Sequence, residues 1–282
     1  MNIKLKLKAV IIGAGQAGSF RKEGNHAASF NQCPYTELMG IVDIDPVVRK
    51  TAAKFHNVNA FSNLTEALDL NPDIIAIAIH PEVRMEYWEK IWQSTSIKTI
   101  ICEKPLANSV AEAEVITKKC NSLNMRLYVN YQRRANSTYT TLRDQIVSRS
   151  RGDLQSVIVH YTHGLQANAC HWLDLGLMLF GGPNWILAEA SPVPSPYSDD
   201  PNATILLGYD QFHLHLLPLI SPKDGFCSGD MTLTFDKERI IVPDPTMYRT
   251  KHAKRWIETS NLLEEVTIDF SIEDITVTGG VI

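Results

Sequence analysis

Ala9-Val10-Ile11-Ile12-Gly13-Ala14-Gly15-Gln16-Ala17-Gly18 is the stretch that decides the fold. Four consecutive apolar residues, with no polar alternation, suit a strand buried on both faces. The glycines that follow have the spacing G-x-G-x-x-G. In such a turn the first glycine permits a tight reversal, and the second lets the backbone approach a pyrophosphate. The third lets the next helix pack closely on the strand. Amides at that helix N-terminus then bind phosphate oxygens. The spacing alone is common, and a glycine turn with no ligand has the same pattern. Its place directly after a buried strand gives it weight. Gly13, Gly15, Gln16, Ala17 and Gly18 are therefore the candidate dinucleotide contacts.

Outward from this turn, Glu37–Val42 reads as a second strand, and Asp43 follows it. A carboxylate there accepts hydrogen bonds from adenosine ribose hydroxyls and repels a 2′-phosphate. Asp45 adds negative charge, so NAD is favoured over NADP, with Arg49 as the one nearby group that softens the preference. Asp43 lies 30 residues after Gly13, against a usual spacing of about 20. An insertion around Ser19–His26 accounts for the excess. The bland alternative for Asp43 is a solvated acid at a strand end.

The first half goes on alternating strands and helices: a helix from Pro46 to His56, strands at Val58–Phe61 and Asp73–Ile79, a helix at about Glu82–Ser94, and a strand at Ile97–Cys102. Ser109 and Glu112 form a capping box for a helix through Cys120, and Arg126–Asn130 is a further strand. Parallel neighbours need crossover connections, so repeated β-α-β units predict a doubly wound Rossmann domain over residues 1–130. Residues 131–282 read differently. Helices at Asn136–Ser148 and Cys170–Phe180 flank a strand at Leu154–Tyr161. Hairpins follow at Ala203–Tyr209 with Phe212–Leu217 and at Met231–Phe235 with Arg239–Val242, then a strand at Glu265–Phe270. This predicts an α+β domain with an open, mostly antiparallel sheet. Ser191–Asn202, with four prolines, reads as a loop or flap.

The formal net charge of −4 gives no electrostatic footprint for nucleic acid or an anionic membrane. No run of 18 apolar residues is present, so no segment is expected to span a membrane. The N-terminal residues read as the start of the first strand rather than a signal peptide. Five widely spaced cysteines form neither a disulfide framework nor a metal pattern. The expectation is a cytoplasmic chain with reduced thiols and no metal.

Five segments, in order, carry a resemblance to the Gfo/Idh/MocA oxidoreductases over about residues 8–190. They are Gly13–Gly18, Ile41-Val-Asp-Ile-Asp-Pro46, Glu103-Lys104-Pro105, Asn130-Tyr-Gln-Arg-Arg134 and His171-Trp-Leu-Asp174. The resemblance implies hydride transfer between nicotinamide and a sugar-like hydroxyl carbon. It also implies a homo-oligomer formed through the C-terminal sheet. Lys104 would sit beside nicotinamide and substrate, with Glu103, His80 and Pro81 among the cofactor contacts. His171 would begin a helix whose first turn faces the substrate, joined by Asn168, Tyr131, Arg133 and Arg134.

The chemistry suits these residue types. Oxidising an alcohol needs a base for the hydroxyl proton, and histidine titrates near neutrality. A lysine near a cationic nicotinamide has its pKa lowered and can exchange a proton with the reacting oxygen. The structural alternatives are a surface lysine for Lys104 and, for His171, a helix-start histidine bonded to Asp174. One position departs from the family pattern: dehydrogenases of this kind often carry aspartate four residues before the histidine, where this chain has Ala167. Asn168 can bind a hydroxyl but cannot act as a base. Two other readings therefore stand beside the enzyme: a non-catalytic NAD(P) or sugar sensor, and a glycosidase that uses NAD transiently.

Overall fold

The computed structural model describes residues 5–21, 24–220, 229–243, 252–259 and 262–269. Met1–Lys4, Cys227 and Phe270, which entered the sequence reading, lie outside them. The chain divides into two compact units, one running to Gln132 and the other starting at Arg133.

The first unit contains β1 (Leu7–Ile12), α1 (His26–Gln32), β2 (Thr36–Val42), α2 (Pro46–His56), β3 (Asn59–Phe61), α3 (Leu64–Leu68), β4 (Ile74–Ile77), α4 (Met85–Gln93), β5 (Thr99–Cys102), α5 (Val110–Ser122) and β6 (Arg126–Val129). All the pairings are parallel, in the order β3-β2-β1-β4-β5-β6. The apolar run of β1 is explained by its two faces. Val10 and Ile12 pack with Trp88, Ile91, Ile116 and Leu64 from α3, α4 and α5. Ala9 and Ile11 pack with Ala27, Phe30 and Ala52 from α1 and α2. Strand periodicity of two, buried on both sides, is the physical content of a doubly wound sheet. Chain order reverses between β1 and β4, so the crevice at their carboxyl ends is the expected ligand position.

The helix expected straight after Gly18 is broken. A single π-helical turn, Gln16–Phe20, is followed by a kink with Gly24 at φ +108, and α1 starts only at His26. The Asn25 side chain caps α1 by accepting from Ala28 N at 2.8 Å. This interruption occupies the stretch that lengthens the Gly13-to-Asp43 spacing.

The second unit contains α6 (Ser137–Val147), β7 (Leu154–Tyr161), α7 (Cys170–Phe180), β8 (Trp185–Ala190), β9 (Ala203–Gly208), β10 (His213–Pro218), β11 (Gly229–Phe235), β12 (Glu238–Pro243), β13 (His252–Thr259) and β14 (Leu262–Asp269). Its sheet runs β14-β13-β12-β11-β7-β10-β9-β8 and is antiparallel except for the β7–β10 pair. The core lies on one face. Val157, Val159, Tyr161, Leu214, Leu216, Met231 and Leu233 pack against Tyr139 and Leu142 of α6 and Trp172, Leu175 and Leu179 of α7. α7 ends at Gly181, whose φ of +81 favours glycine. Sequence periodicity missed β8 and β13. All six residues of β8 are exposed, Trp185, Ile186 and Leu187 included, so it shows no alternation of buried and solvated positions.

Candidate functional site

In the first unit the three motif glycines stand in three different environments. Gly13 has φ +99, and a Cβ there would lie 2.5 Å from the Ala78 carbonyl oxygen. At Gly18 a Cβ would lie 1.9 Å from the Gly13 carbonyl oxygen. At Gly15 it would meet nothing within 4 Å. Two positions are therefore glycine because protein packs against them, and the middle one because the space beside it is open. Gly15 and Gln16 are exposed, and Ala17 is half-buried. The amides of Ser19 and Phe20 bond the Gly15 carbonyl, while those of Gln16, Ala17 and Gly18 precede the first bond of the turn. A backbone cradle open at Gly15, with helix-start amides beside it, fits a pyrophosphate.

Asp43 closes this loop from the end of β2. Its Oδ2 accepts from Ala14 N at 2.7 Å and its Oδ1 from Asp45 N at 2.9 Å. The carboxylate thus touches the glycine turn, where a ribose-binding acid belongs. Asp45 instead caps α2, accepting from Val47 N and Val48 N at 2.7 and 3.1 Å. Arg49 donates to the Asp43 and Ile44 carbonyls, each at 3.1 Å.

Two strands along from β1, Glu103-Lys104-Pro105 forms a turn at the carboxyl end of β5, with a cis Lys104-Pro105 peptide. Lys104 is half-buried. Glu103 Oε1 accepts from His26 Nε2 at 2.9 Å and from Asn130 Nδ2 at 2.7 Å. Burial alone would push the Glu103 carboxyl up. The hydrogen bonds from His26 and Asn130, with the charges of His26 and Arg21, hold it below the usual carboxylate range. The acid therefore ties the turn to α1 and to the end of β6, and it is charged at neutral pH.

Arg84, which the sequence reading passed over, is 2% exposed. Its Nε and Nη2 donate to the Ile79 carbonyl at 2.9 and 2.6 Å, and its Nη1 donates to the carbonyls of Pro105 and Leu106. One guanidinium therefore joins the turn before His80-Pro81 to the turn carrying Lys104. His80 is exposed and Pro81 half-buried at the start of a 3-10 turn. Tyr131 is half-buried just beyond β6.

In the second unit, Gly164 (φ +83) opens a π-helical turn, Leu165–Ala169, that runs directly into α7. Asn168 is buried, its Nδ2 donating to the Thr162 carbonyl at 3.0 Å. His171 is half-buried in the first turn of α7. The proline-rich loop secures this segment at its far end. Asp200 accepts from Gln166 N and Ala167 N, each at 2.8 Å, and Asn202 Oδ1 accepts from Gly164 N at 2.9 Å. Neither residue was singled out from sequence, since side-chain-to-backbone bonds across more than thirty residues leave no local pattern. Arg133 is buried with its guanidinium 4.4 Å above the Trp172 ring. Arg134 is paired with Asp174 through Nε at 2.9 Å and Nη2 at 2.8 Å. Asp174 is thus engaged by Arg134. Among the described residues no helix is long and apolar enough to cross a membrane.

Residues 7–131 match the model of an oxidoreductase family with an NAD-binding Rossmann fold, Gfo/Idh/MocA. Glucose-6-phosphate 3-dehydrogenase of Bacillus subtilis is 27% identical over 172 residues, 59% of this chain and 46% of that protein. The chain's match thus spans less than half the length of that relative. Among solved structures, UDP-N-acetylglucosamine 3-dehydrogenase from Acidithiobacillus ferrooxidans aligns with a TM-score of 0.75 at 17% identity, over 97% of this chain and 86% of that one. The WlbA dehydrogenase from Bordetella pertussis, solved with NADH and UDP-GlcNAcA, aligns at 0.70 and 19% identity over 85% and 78%. Over residues 7–131 the first unit is thus similar to the Gfo/Idh/MocA oxidoreductases, a family with an NAD-binding Rossmann fold.

Proposed function

We propose that this chain is an NAD-dependent oxidoreductase that transfers hydride between nicotinamide and a hydroxyl carbon of a sugar, cyclitol or nucleotide sugar. The observation that carries the reading is the glycine loop open at Gly15 and closed by Asp43, on the same sheet edge as the Lys104 turn. Relatives named as dehydrogenases of glucose 6-phosphate and UDP-N-acetylglucosamine support a sugar substrate. When bound, the dinucleotide supplies the hydride acceptor or donor. Gly13–Gly18 hold its phosphates and Asp43 its adenosine ribose, with His80, Pro81 and the Glu103–Lys104 turn nearer the nicotinamide end.

Each unit then offers one proton-transfer group. Lys104, held by its turn and by Arg84, hydrogen-bonds the reacting oxygen or exchanges a proton with it. His171 takes the hydroxyl proton, while Asn168, Tyr131 and Arg133 orient the substrate. Arg134 is a weaker anion contact because Asp174 occupies two of its nitrogens. The apolar β8 edge supports self-association through the second sheet.

Calorimetric titration with NADH and NADPH tests the cofactor. Tighter binding of NADH is expected, and a strong preference for NADPH would mean that Asp43 does not exclude a 2′-phosphate. An absorbance screen over sugars and nucleotide sugars tests the reaction. On a substrate so found, Lys104→Ala should lower kcat about a hundredfold, and intact turnover would remove Lys104 from the mechanism. Ala167 favours a second reading, a sensor. NADH binding with no turnover across the whole screen would select it.

A further inference from the structure

We propose that His163 is a ligand-binding residue of the second unit whose Nε2 hydrogen-bonds a hydroxyl of the substrate; this rests on the sugar-type substrate proposed above. His163 follows β7 and immediately precedes Gly164, five residues before Asn168. It adopts φ +69, a left-handed conformation that costs a side chain energy. The other non-glycine residues at positive φ among those described, Asn57, Asn71, Asn124 and Arg149, are all exposed, and three are asparagines. His163 is 4% exposed. A strained backbone here directs an imidazole inward rather than turning a surface corner.

The ring is fixed at one nitrogen and unused at the other. Nδ1 lies 3.0 Å from Thr162 Oγ1, while Nε2 is buried with no hydrogen-bond partner among the described residues. Tyr197, from the proline-rich loop, flanks the ring at 6.1 Å. The backbone around it is held on both sides. The Thr162 carbonyl accepts from Asn168, Asn202 holds the Gly164 amide, and Asp200 holds those of Gln166 and Ala167. Buried polar atoms are nearly always paired; among the described residues of this tightly held segment Nε2 is the side-chain atom that is not, which leaves one hydrogen bond for a ligand or a water to make. A hydroxyl fits best, because it both donates and accepts and so satisfies Nε2 in either tautomer of the neutral ring. An anion fits less well, since the Asp200 carboxylate already lies against Gly164.

Two substitutions separate ligand binding from structure. His163→Asn tolerates positive φ and keeps a polar atom near the Nδ1 position, but removes the reach of Nε2. His163→Gln places an amide near the Nε2 position. With the sugar or nucleotide sugar that gives the highest turnover in the screen, His163→Asn should raise KM about tenfold, the loss of one ligand hydrogen bond. His163→Gln should recover part of it. NADH affinity by calorimetry and melting temperature should stay at wild-type values in both. An unchanged KM in His163→Asn overturns the proposal and leaves the oxidoreductase reading intact; the orphan nitrogen would then serve water. A fall in melting temperature in both variants, with KM unchanged, shows a packing role and overturns it as well. If wild-type protein turns over no sugar, the functional reading itself fails and this inference fails with it.

Discussion

The two units contain loops built on one plan and put to different ends. Each has a glycine at positive φ, Gly13 at +99 and Gly164 at +83. Each runs into a single π-helical turn, Gln16–Phe20 or Leu165–Ala169, in which the carbonyl of the residue just before the turn, Gly15 or Gly164, accepts from residues four and five further on. Each is held by an aspartate from far along the chain, Asp43 or Asp200. The difference lies in where that carboxylate binds. Asp43 takes Ala14 N, ahead of the helical turn, and leaves the space beside Gly15 open. Asp200 takes Gln166 N and Ala167 N, so a protein carboxylate already occupies the positive end of the second turn. On the function proposed above, the first loop suits an anionic ligand and the second a neutral one.

The sharpest way to break this comparison is to add one methyl group at each glycine of the first loop. Gly18→Ala drives a Cβ into the Gly13 carbonyl, and Gly13→Ala adds a forbidden φ to a backbone clash. Each should destabilise by about 3 kcal/mol or more, read as a large fall in melting temperature. Gly15→Ala meets no protein atom. It should melt close to wild type yet bind NADH at least about tenfold more weakly, because the methyl occupies the approach of the pyrophosphate. Equal NADH affinity in Gly15→Ala would show that the open space is not the phosphate site.

This asymmetry also shows how far sequence alone reaches. The first loop was legible because its constraints are local: glycine spacing, a preceding apolar strand and an acid at the next strand end. The unit's layers were legible for a related reason, since an apolar run such as Ala9–Ile12 has few uses other than a strand buried on both faces. The second loop was only half legible. Asn168 and His171 stood out by resemblance, but Asp200, Asn202 and His163 act through side-chain-to-backbone bonds, burial and backbone angle, none of which has a period. Arg84 sat inside a segment that read as ordinary helix, and its partners are carbonyls, which every residue has. β8 was missed because periodicity needs one buried face, and this strand has none.

Asp200→Asn is the matching test on the second loop. An amide side chain keeps one acceptor oxygen and turns a donor towards the other backbone N–H. Losing charge-assisted bonds to two amides should cost about 2 kcal/mol, seen as a lower melting temperature. NADH affinity should not change, because the loop for the dinucleotide lies in the other unit. If Asp200→Asn weakens NADH binding as strongly as Gly15→Ala, the division of labour between the loops is wrong.

The smallest expected effect concerns acid and the first unit alone. The Glu103 carboxyl titrates below its ordinary value of 4.5 because bonds from His26 and Asn130 outweigh its burial. A carboxyl with a depressed folded value stabilises the protein above its unfolded pKa. That contribution is lost as pH falls through the folded value. Glu103→Gln removes the charge but keeps an acceptor for one partner, so it should cost about 1 kcal/mol at neutral pH. The gap from wild type should close on acidification below the ordinary carboxylate value, as wild-type Glu103 takes up its proton. Chemical denaturation at neutral pH and at successively lower pH measures it. A gap that stays constant into acid would mean that Glu103 acts by packing and not by charge. The turn that carries Lys104 would then be held chiefly by Arg84.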